Sequence, residues 1–273
     1  MDQDREKLID LAVAGDRDAL EALLTQAQDM VFHLSLRMLG TVPDAEDAAQ
    51  EILIKIMTRL STFRRECAYS TWVYRIAVNH LKSYKKGMFA RRPLSFEYYG
   101  EDIRCGREGD MPDLSQGVDR ALLAEELKYS CTNVMLQCLD PEERCIFILG
   151  AMFRADSRVA GEILDMTPEA YRQRLSRIRR RVGDFLGEYC GHAGGSCSCA
   201  RRVDYAAATH RLDPRNLEYV RLERTEEYKQ AMERLDELSL LFDSLPGYRA
   251  TPRSRRFLEE LLRSGEMDVV RNT

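Results

Sequence analysis

Arginine is unusually dense in one stretch of this chain, between residues 172 and 181. Six arginines lie there: Arg172, Arg174, Arg177, Arg179, Arg180 and Arg181. The guanidinium group is planar and permanently charged, and it can bond bidentately to a guanine edge or to a phosphate. Four apolar residues recur among them at helical spacing and would form an inner face: Leu175, Ile178, Val182 and Phe185. The stretch therefore predicts a basic helix that binds nucleic acid, rather than a face that is only solvated.

A second group, between residues 64 and 82, mixes aromatic, basic and amide side chains. Holding a DNA base outside the stack requires a flat apolar or aromatic pocket, donors for the base edge and cations along the phosphates. The group supplies all three through Arg64, Arg65, Tyr69, Ser70, Trp72, Tyr74, Arg75, Asn79 and Lys82. We expect Trp72 to pack mainly in the core, which leaves Tyr69, Ser70 and Asn79 as the better candidates for contact with bases.

An acidic stripe precedes this group. On a helix that starts near Asp44, which we predict as its N-cap, Asp44, Asp47 and Glu51 share one face at i, i+3 and i+7. A second face carries the apolar residues that should enter the core: Ala48, Ile52, Ile56 and Leu60. The acids could simply favour the helix N-terminus and sit in water. Alternatively, an exposed acidic stripe would steer a basic protein partner and set its orientation.

Three cysteines and a histidine lie within ten residues in the C-terminal third: Cys190, His192, Cys197 and Cys199. Four such ligands can hold Zn(II) tetrahedrally, and thiolates also suit Cu(I) or another thiophilic metal. The separations are shorter than those usual in zinc fingers, so a flexible linker with reduced thiols is the alternative interpretation. The N-terminus shows no signal-peptide pattern, which favours a cytoplasmic chain whose eight cysteines serve as thiols or metal ligands more readily than as disulfides.

Helical periodicity dominates the chain and alternating strand patterns are absent from its sequence, so we expect an all-α fold. Residues 1–90 should form an N-terminal helical bundle. Residues 91–119 are rich in proline, glycine and acidic residues and predict a flexible linker with little structure of its own. Residues 120–188 should form a second helical domain that ends in a helix-turn-helix, with Asp165-Met-Thr167 as the turn.

Residues 189–273 form a C-terminal extension that begins with the cysteine and histidine segment. A helix is predicted from Asp213-Pro214 to about Phe242, followed by a turn at Leu245–Tyr248 and a last helix after Thr251-Pro252. We interpret the two helices as an antiparallel pair that packs on the preceding domains.

The overall charge does not indicate a nucleic-acid partner. The 273 residues include 41 basic and 45 acidic side chains, which gives a net charge of -4. Local clusters of lysine and arginine matter more, because phosphates are neutralised where the cations lie. No run of apolar residues approaches the length of a membrane span. The sequence contains no phosphate-cradling glycine loop and no nucleophilic triad, so an enzyme has little support.

The motif Phe63-Arg-Arg, followed by Ser70-Thr-Trp-Val-Tyr-Arg-Ile-Ala77 and Asn79, closely resembles the extracytoplasmic-function class of bacterial RNA polymerase sigma factors. The acidic helix before the motif and the basic helix-turn-helix after it belong to the same pattern, and the resemblance covers about residues 5–188. It implies a protein without catalysis of its own, which directs RNA polymerase to promoters and assists in melting them.

The resemblance also implies roles for individual positions. Asp47, Gln50 and Glu51 would dock on the clamp helices of the largest subunit of core polymerase. The group between residues 64 and 82 would bind the minus-10 element, with the loop from Arg65 to Ser70 capturing a flipped base. The second helix of the helix-turn-helix would read the minus-35 element through Glu169, Arg172, Gln173 and Arg177, with Arg174 and Arg180 as supporting contacts.

Three residues of the helix-turn-helix bear on how closely it follows the family pattern. Asp165 stands where the turn usually has glycine, and Ala170 stands where a threonine commonly contacts the DNA backbone. Gly161 occupies the small position of the first helix of the motif. These residues leave the docking geometry on DNA open, but not the presence of the module.

Core polymerase and promoter DNA are therefore the expected partners, and an anti-sigma protein is a further partner that the sequence leaves open. No cofactor is required for this function. We hypothesise that the extension regulates the sigma domains in cis, doing the work of a separate anti-sigma protein. The alternative is a helix-turn-helix regulator with a metal- or redox-sensing tail, which would bind DNA without core polymerase.

Overall fold

The computed structural model describes residues 2–105, 112–222, 224–225 and 247–263, and within these ranges it contains twelve α-helices. The first six are α1 (Asp2–Val13), α2 (Arg17–Leu39), α3 (Val42–Arg59), α4 (Tyr69–Lys82), α5 (Met88–Arg91) and α6 (Phe96–Cys105). The others are α7 (Arg120–Leu136), α8 (Pro141–Phe147), α9 (Ser157–Leu164), α10 (Pro168–Tyr189), α11 (Cys199–Ala208) and α12 (Pro252–Arg263). The all-α prediction is confirmed, with one short antiparallel pair added, β1 (Arg224–Thr225) and β2 (Gly247–Tyr248). None of the described helices combines the length and the apolar character that a bilayer span requires.

Helix α2 lies at the centre of the molecule. It packs against α1, α3, α4, α7, α8 and α12. Its Val31, Phe32, Leu34 and Leu36 side chains are all fully buried, although they project in different directions around the helix. A helix that is apolar on every side is stable only inside a core. The sequence of α2 therefore places it between the other N-terminal helices and α7.

Capping residues set the ends of α2 and α3. The Asp16 side chain accepts a hydrogen bond from the backbone N–H of Ala19 at 2.9 Å, and α2 ends at Gly40, whose φ is 84°. Helix α3 begins after Thr41, whose Oγ1 accepts from the N–H of Asp44 at 3.3 Å. The prediction of Asp44 as N-cap is therefore wrong. Pro43 suits the first turn of a helix, so the cap has to precede it.

Two buried arginines join the N-terminal helices to the domain that follows. Arg37 of α2 donates from Nη1 to Oδ1 of Asn133 in α7 at 2.9 Å. Arg144 of α8 donates to the backbone oxygens of Met38 at 2.5 Å and Leu139 at 2.7 Å. Helices α8 and α9 also pack on α4. The two predicted domains therefore share one hydrophobic core in this structure.

The segment predicted as a linker, residues 91–119, contains more structure than expected, namely α6. Phe96, Tyr99 and Ile103 lie on one face of this helix at i, i+3 and i+7. The Phe96 and Tyr99 rings pack on Phe185 of α10, with centroids 5.1 and 5.9 Å apart. The expectation of little structure is wrong here, because three apolar side chains on one face can dock a short helix. Residues 106–111 of the predicted linker lie outside the described residues.

The helix predicted from Asp213 to Phe242 is not found over residues 213–222, and residues 226–242 lie outside the described residues. Glu126 of α7 accounts for the difference. Its carboxylate accepts hydrogen bonds from three successive backbone N–H groups, those of Glu218, Tyr219 and Val220. N–H groups that are bound to a side chain cannot also build the hydrogen-bond ladder of a helix.

The end of the tail was predicted in part. Gly247 and Tyr248 form β2 and pair with β1, where the sequence indicated a turn. Helix α12 begins at Pro252 as predicted, and Thr251 Oγ1 accepts from the N–H of Ser254 at 3.2 Å. Helix α12 packs on α2 and α3. Helix α12 therefore packs on one of the preceding domains, as predicted for the pair, whereas the first helix of that pair is not found over residues 213–222.

Candidate nucleic-acid and protein interfaces

A cleft of about 490 Å³ lies between the second half of α3, the loop that follows it and the length of α4. Its walls include the Phe63 and Trp72 rings, and Asn79 and Ser83 supply polar groups. Five cations line it: Lys55, Arg59, Arg64, Arg65 and Arg75. A volume in the range of roughly 300–1,000 Å³ suits a small planar ligand. The combination of ring faces and cations suits a nucleotide, whose base can stack and whose phosphate is anionic.

The cleft gathers five of the residues predicted to bind the minus-10 element: Arg64, Arg65, Trp72, Arg75 and Asn79. The remaining four, Tyr69, Ser70, Tyr74 and Lys82, are not part of its lining. Ser70 is exposed beside the cleft, and Tyr74 packs on Phe153 with ring centroids 6.3 Å apart. The structure therefore brings together about half of this predicted group, with Arg65 also paired to Asp10 of α1.

Tyr69 is more deeply buried than Trp72, whereas the sequence predicted the opposite. Tyr69 is buried, and its ring lies against Phe63 and stacks on Trp72 at 5.9 Å. Trp72 is only half-buried and lines the cleft. The expectation that Tyr69 presents its ring is therefore corrected, whereas Trp72 packs against the core as expected and also lines the cleft. As the first residue of α4, Tyr69 faces the bundle, and its burial raises its pKa.

Lys55 and Arg59 reach the cleft from α3 and were not among the predicted residues. They precede the predicted group in sequence, so only the packing of α3 on α4 brings them near it. Lys55 Nζ lies 2.6 Å from Nδ1 of His80, and Nε2 of His80 lies 3.3 Å from the Glu51 carboxylate. Burial and the Lys55 ammonium lower the pKa of His80. The change from acidic to basic residues along α3 could have indicated that Lys55 and Arg59 belong to the DNA-binding group.

The acidic face of α3 is exposed at Asp47 and only partly exposed at its other members. Asp47 is 54% exposed and Glu51 is 36% exposed, with Gln50 half-buried between them. The opposite face is buried, which confirms the predicted core residues Ala48, Ile52, Ile56 and Leu60. Ile54, which was not among the predicted residues, is 37% exposed on the same helix. An isolated exposed isoleucine is unremarkable by itself, but beside an acidic stripe it adds an apolar contact.

The carboxylates of this face have partners within the chain. Glu51 accepts a hydrogen bond from Lys86 Nζ at 2.6 Å. Asp47 accepts from Arg253 Nη2 of α12 at 3.2 Å. Glu46, one residue before Asp47, is buried and accepts from Nη1 of the same Arg253 at 2.8 Å. The acidic face is thus in contact with the C-terminal extension.

Helices α9 and α10 form the predicted helix-turn-helix. Asp165 ends α9 in the left-handed region with φ of 56°, a conformation that aspartate tolerates better than most residues. Thr167 caps α10, and its side chain accepts from the N–H of Ala170 at 3.2 Å. Gly161 is required by the turn, because a Cβ there would lie 2.6 Å from the Met166 carbonyl oxygen. The small residue in the first helix therefore has a steric reason.

Helix α10 presents most of its predicted DNA contacts to solvent. Its inner face is buried through Tyr171, Ile178, Val182 and Phe185. The exposed predicted residues are Glu169, Arg172, Gln173, Arg177 and Arg180. Arg174 is half-buried and donates to Glu142 of α8 at 2.9 Å, so in this structure it supports the helix internally. Arg172 donates to Ser157 Oγ and to Glu169, both at 2.9 Å.

The cysteine and histidine segment forms a tight loop after α10. The carbonyl of Cys190 accepts from the N–H groups of Ala193 at 2.9 Å and Gly195 at 2.8 Å. The Cys197 N–H donates to the Tyr189 carbonyl at 3.0 Å, which folds the loop back on the helix. A Cβ at Gly191 would lie 2.0 Å from the Cys197 carbonyl oxygen. The glycines are therefore needed for this fold.

The loop brings its side chains close without assembling a full coordination set. Nε2 of His192 lies 3.9 Å from Sγ of Cys199. Burial and the neighbouring Cys197 and Cys190 thiols raise the pKa of Cys199 to about 11. Among the residues that the structure describes, no three histidine, cysteine, aspartate or glutamate side chains are grouped so as to hold a metal ion.

Comparisons with known proteins agree with this arrangement. Residues 23–87 match the family model described as Sigma-70 region 2. The RNA polymerase sigma-H factor of Pseudomonas aeruginosa is 33% identical over 183 residues, which cover 66% of this chain and 93% of that protein. The ECF RNA polymerase sigma factor SigW of Bacillus subtilis is 30% identical over 183 residues, covering 65% of this chain and 94% of that protein. The chain therefore belongs to the extracytoplasmic-function class of RNA polymerase sigma factors.

A solved structure, described as CnrH in complex with the cytosolic domain of CnrY, covers 66% of this chain and 94% of its own. It is 18% identical, with a TM-score of 0.48.

Because the chain belongs to the sigma class, it directs RNA polymerase to promoters for transcription initiation. The alternative of a regulator that acts without core polymerase is not favoured, since the relatives are named as polymerase sigma factors.

The steric role of Gly161 can be tested by adding one methyl group. We expect Gly161→Ala to destabilise the domain by about 1–3 kcal/mol, because the turn must open to relieve a clash with a backbone oxygen. Gly187→Ala in α10 is the matched control, since a Cβ there meets no atom within 4 Å. It should leave stability unchanged or raise it by up to about 1 kcal/mol. Urea unfolding of both variants gives the comparison, and equal effects would contradict the steric role.

Proposed function

We propose that the chain binds core polymerase through the exposed face of α3, a promoter base through the cleft, and duplex DNA through α10. The cleft carries this proposal, because its aromatic walls and five cations lie within the region that matches Sigma-70 region 2. The protein acts by binding and by melting DNA, without a reaction of its own. A cytoplasmic location follows from this proposal, since the partners are polymerase and DNA.

The α3 face suits a basic protein partner. Asp47 and Glu51 supply negative charge at the surface, which would steer the encounter and orient the complex. Ile54 adds apolar area that can be buried on binding. The clamp helices of the polymerase largest subunit, which the family resemblance implies, are the partner proposed for Asp47, Gln50 and Glu51.

The cleft suits a base that has left the DNA stack. Extruding a base costs a few kcal/mol, which stacking on aromatic side chains can return at about 1–3 kcal/mol per base. Trp72 and Phe63 offer the stacking surfaces, and Asn79 offers an amide for the base edge. Arg64, Arg65 and the cations of α3 would hold the flanking phosphates. Ser70 and Lys82 remain predicted contacts at the edge of this site.

Helix α10 suits the major groove. Its first exposed turn carries Glu169, Arg172 and Gln173, the residues proposed to face bases of the minus-35 element. In the free chain the Arg172 guanidinium donates to Ser157 and Glu169, and both Arg172 and Glu169 are exposed, so DNA can compete with these weak contacts. Arg177 and Arg180 follow along the same exposed side and are proposed for bases or nearby phosphates.

We also propose that the loop from Cys190 to Cys199 holds Zn(II) or another thiophilic metal. Three thiols and an imidazole are the ligand types that such ions prefer. Nε2 of His192 lies 3.9 Å from Sγ of Cys199, and the Cys190 and Cys197 thiols would have to approach this pair to complete the coordination set. The metal would stabilise this loop, and it would take no part in transcription chemistry.

The proposed polymerase contact predicts a charge-sensitive association. We expect the Asp47→Lys, Glu51→Lys double variant to bind core polymerase at least about tenfold more weakly, which corresponds to about 1.4 kcal/mol. Glu21→Lys, a reversal at an exposed acid on α2, is the control and should bind normally. Equilibrium titration of labelled protein with core enzyme measures both. Normal binding of the double variant would remove this face as the docking site.

The role of α10 predicts a loss confined to promoter recognition. Arg172→Ala should weaken promoter binding by the holoenzyme by about 1–3 kcal/mol if its fork bonds to one base. Core-polymerase binding should stay unchanged, because Arg172 lies in the other domain. Arg17→Ala on α2 is the control for loss of an exposed arginine. A loss of equal size on promoter DNA with an altered minus-35 element would show that Arg172 reads no base there.

The metal proposal predicts about one bound ion per chain for a tetrahedral four-ligand site. Elemental analysis of the purified full chain measures this. Cys197→Ser with Cys199→Ser should remove the ion, whereas Cys105→Ser, an exposed thiol of α6, should not. A metal-free wild-type chain that gains no ion on dialysis against zinc would refute the proposal.

A further inference from the structure

The segment Gly247–Arg263, here called the C-terminal arm, covers the part of α3 that is proposed to bind polymerase. Arg253 of the arm donates to Glu46 at 2.8 Å and to Asp47 at 3.2 Å. Its guanidinium therefore neutralises carboxylates at the start of the acidic face. Asp47 is itself one of the proposed docking residues, so a partner that engages Asp47 has to displace Arg253.

Hydrogen bonds along the arm attach it to α2 and α3. Gln28 of α2 is buried and donates from Nε2 to the Ser254 carbonyl at 2.8 Å. Asp29 accepts from the Ala250 N–H at 2.8 Å. The Thr251 hydroxyl donates to the Glu46 carboxylate. Three leucines of α12 complete the contact and are buried, namely Leu258, Leu261 and Leu262. The arm is therefore a specifically docked segment and not a loose tail.

Tyr248 extends the contact to the second domain. Its ring is 1% exposed and lies under the Arg37 guanidinium, 5.3 Å from ring centroid to Cζ. The same ring meets His33 of α2 at 6.1 Å and Tyr129 of α7 at 6.4 Å, both edge to face. One aromatic side chain of the arm thus contacts helices of both sigma domains.

We propose that the C-terminal arm is an inhibitor in cis, which competes with core polymerase for the start of α3 and holds the two sigma domains together. The proposal rests on the docking face proposed above. Basic charge on the arm meets the same carboxylates that would meet a basic polymerase surface, so the two occupants exclude each other. The inhibited chain is the one described here, and the active chain has the arm released.

A docked arm should weaken the apparent affinity of the chain for core polymerase. If only a small fraction of chains has the arm released, the apparent dissociation constant for core enzyme is the intrinsic constant divided by that fraction. A change that weakens the arm without touching α3 should therefore tighten polymerase binding. A purely structural arm would give the opposite result, because its loss would weaken the fold and the binding together.

Arg253→Glu in the full chain is the test, since it places a negative charge against Glu46 and Asp47 and leaves α3 unaltered. Arg256→Glu is the matched control, with the same charge change on an exposed face of α12. Hydrogen exchange over residues 252–263 measures release of the arm, and titration with core polymerase measures affinity. We expect faster exchange and about tenfold tighter binding for Arg253→Glu, and neither effect for the control.

If Arg253→Glu leaves the arm docked, a second variant is needed to release it. Leu258→Glu buries a charge in the apolar contact and should release the arm by a different route. Faster exchange with unchanged or weaker polymerase binding in both variants would overturn the proposal. Tighter binding in either variant with a released arm would support it.

A wrong docking face is distinguished by adding Asp47→Lys to the Leu258→Glu chain, where the new lysine repels Arg253 and cannot dock the arm again. Loss of affinity in that chain supports α3 as the polymerase-binding site. If affinity is instead insensitive to Asp47, the docking face is wrong, and so is competition at this face. If affinity depends on Asp47 but arm release gives no gain, only the inhibitory role of the arm is wrong.

Discussion

The burial of Arg37 is the constraint on which this compact arrangement depends. Its side chain is fully buried in the middle of α2, and a buried charge is stable only where protein groups replace the lost water. Asn133 of α7 accepts a hydrogen bond at 2.9 Å, and Tyr248 presents its ring face. Burial lowers the pKa of Arg37, while nearby tyrosines oppose that shift. One cation therefore links the N-terminal helices, the second domain and the C-terminal arm.

Helix α3 contributes to two proposed interfaces because its charge changes sign along its length. Asp47 and Glu51 lie in its first half, whereas Lys55 and Arg59 lie near its end and line the cleft. Acids near a helix N-terminus and bases near its C-terminus are each favoured by the helix dipole. The order that stabilises the helix also separates its proposed partners, a basic protein surface at one end and DNA phosphates at the other. The His80 ring lies between Lys55 and Glu51, with one ring nitrogen near each, and so joins the basic and acidic halves of α3.

Much of the fold and part of the site could be predicted, because the signals were local. The helix-turn-helix, the Pro252 start of the last helix and the buried face of α3 follow from spacing and capping within a few residues. The α6 helix, the loop held by Glu126 and the reversed burial of Tyr69 and Trp72 could not be predicted. Each depends on a partner far away in the chain, such as Phe185 for α6 or the backbone of residues 218–220 for Glu126.

The amino-acid sequence by itself determined the helical class, the family and the types of side chain that are proposed to contact DNA and polymerase. Periodicity, caps and clustered charge act over one or two helical turns, so they can be recognised from the sequence alone. Only the tertiary structure decided which of those side chains share a cleft, and that Arg253 lies on Asp47, 206 residues earlier. Such contacts follow from the packing of apolar faces, which is non-directional, so the sequence of a helix shows which face is apolar but not which partner covers it.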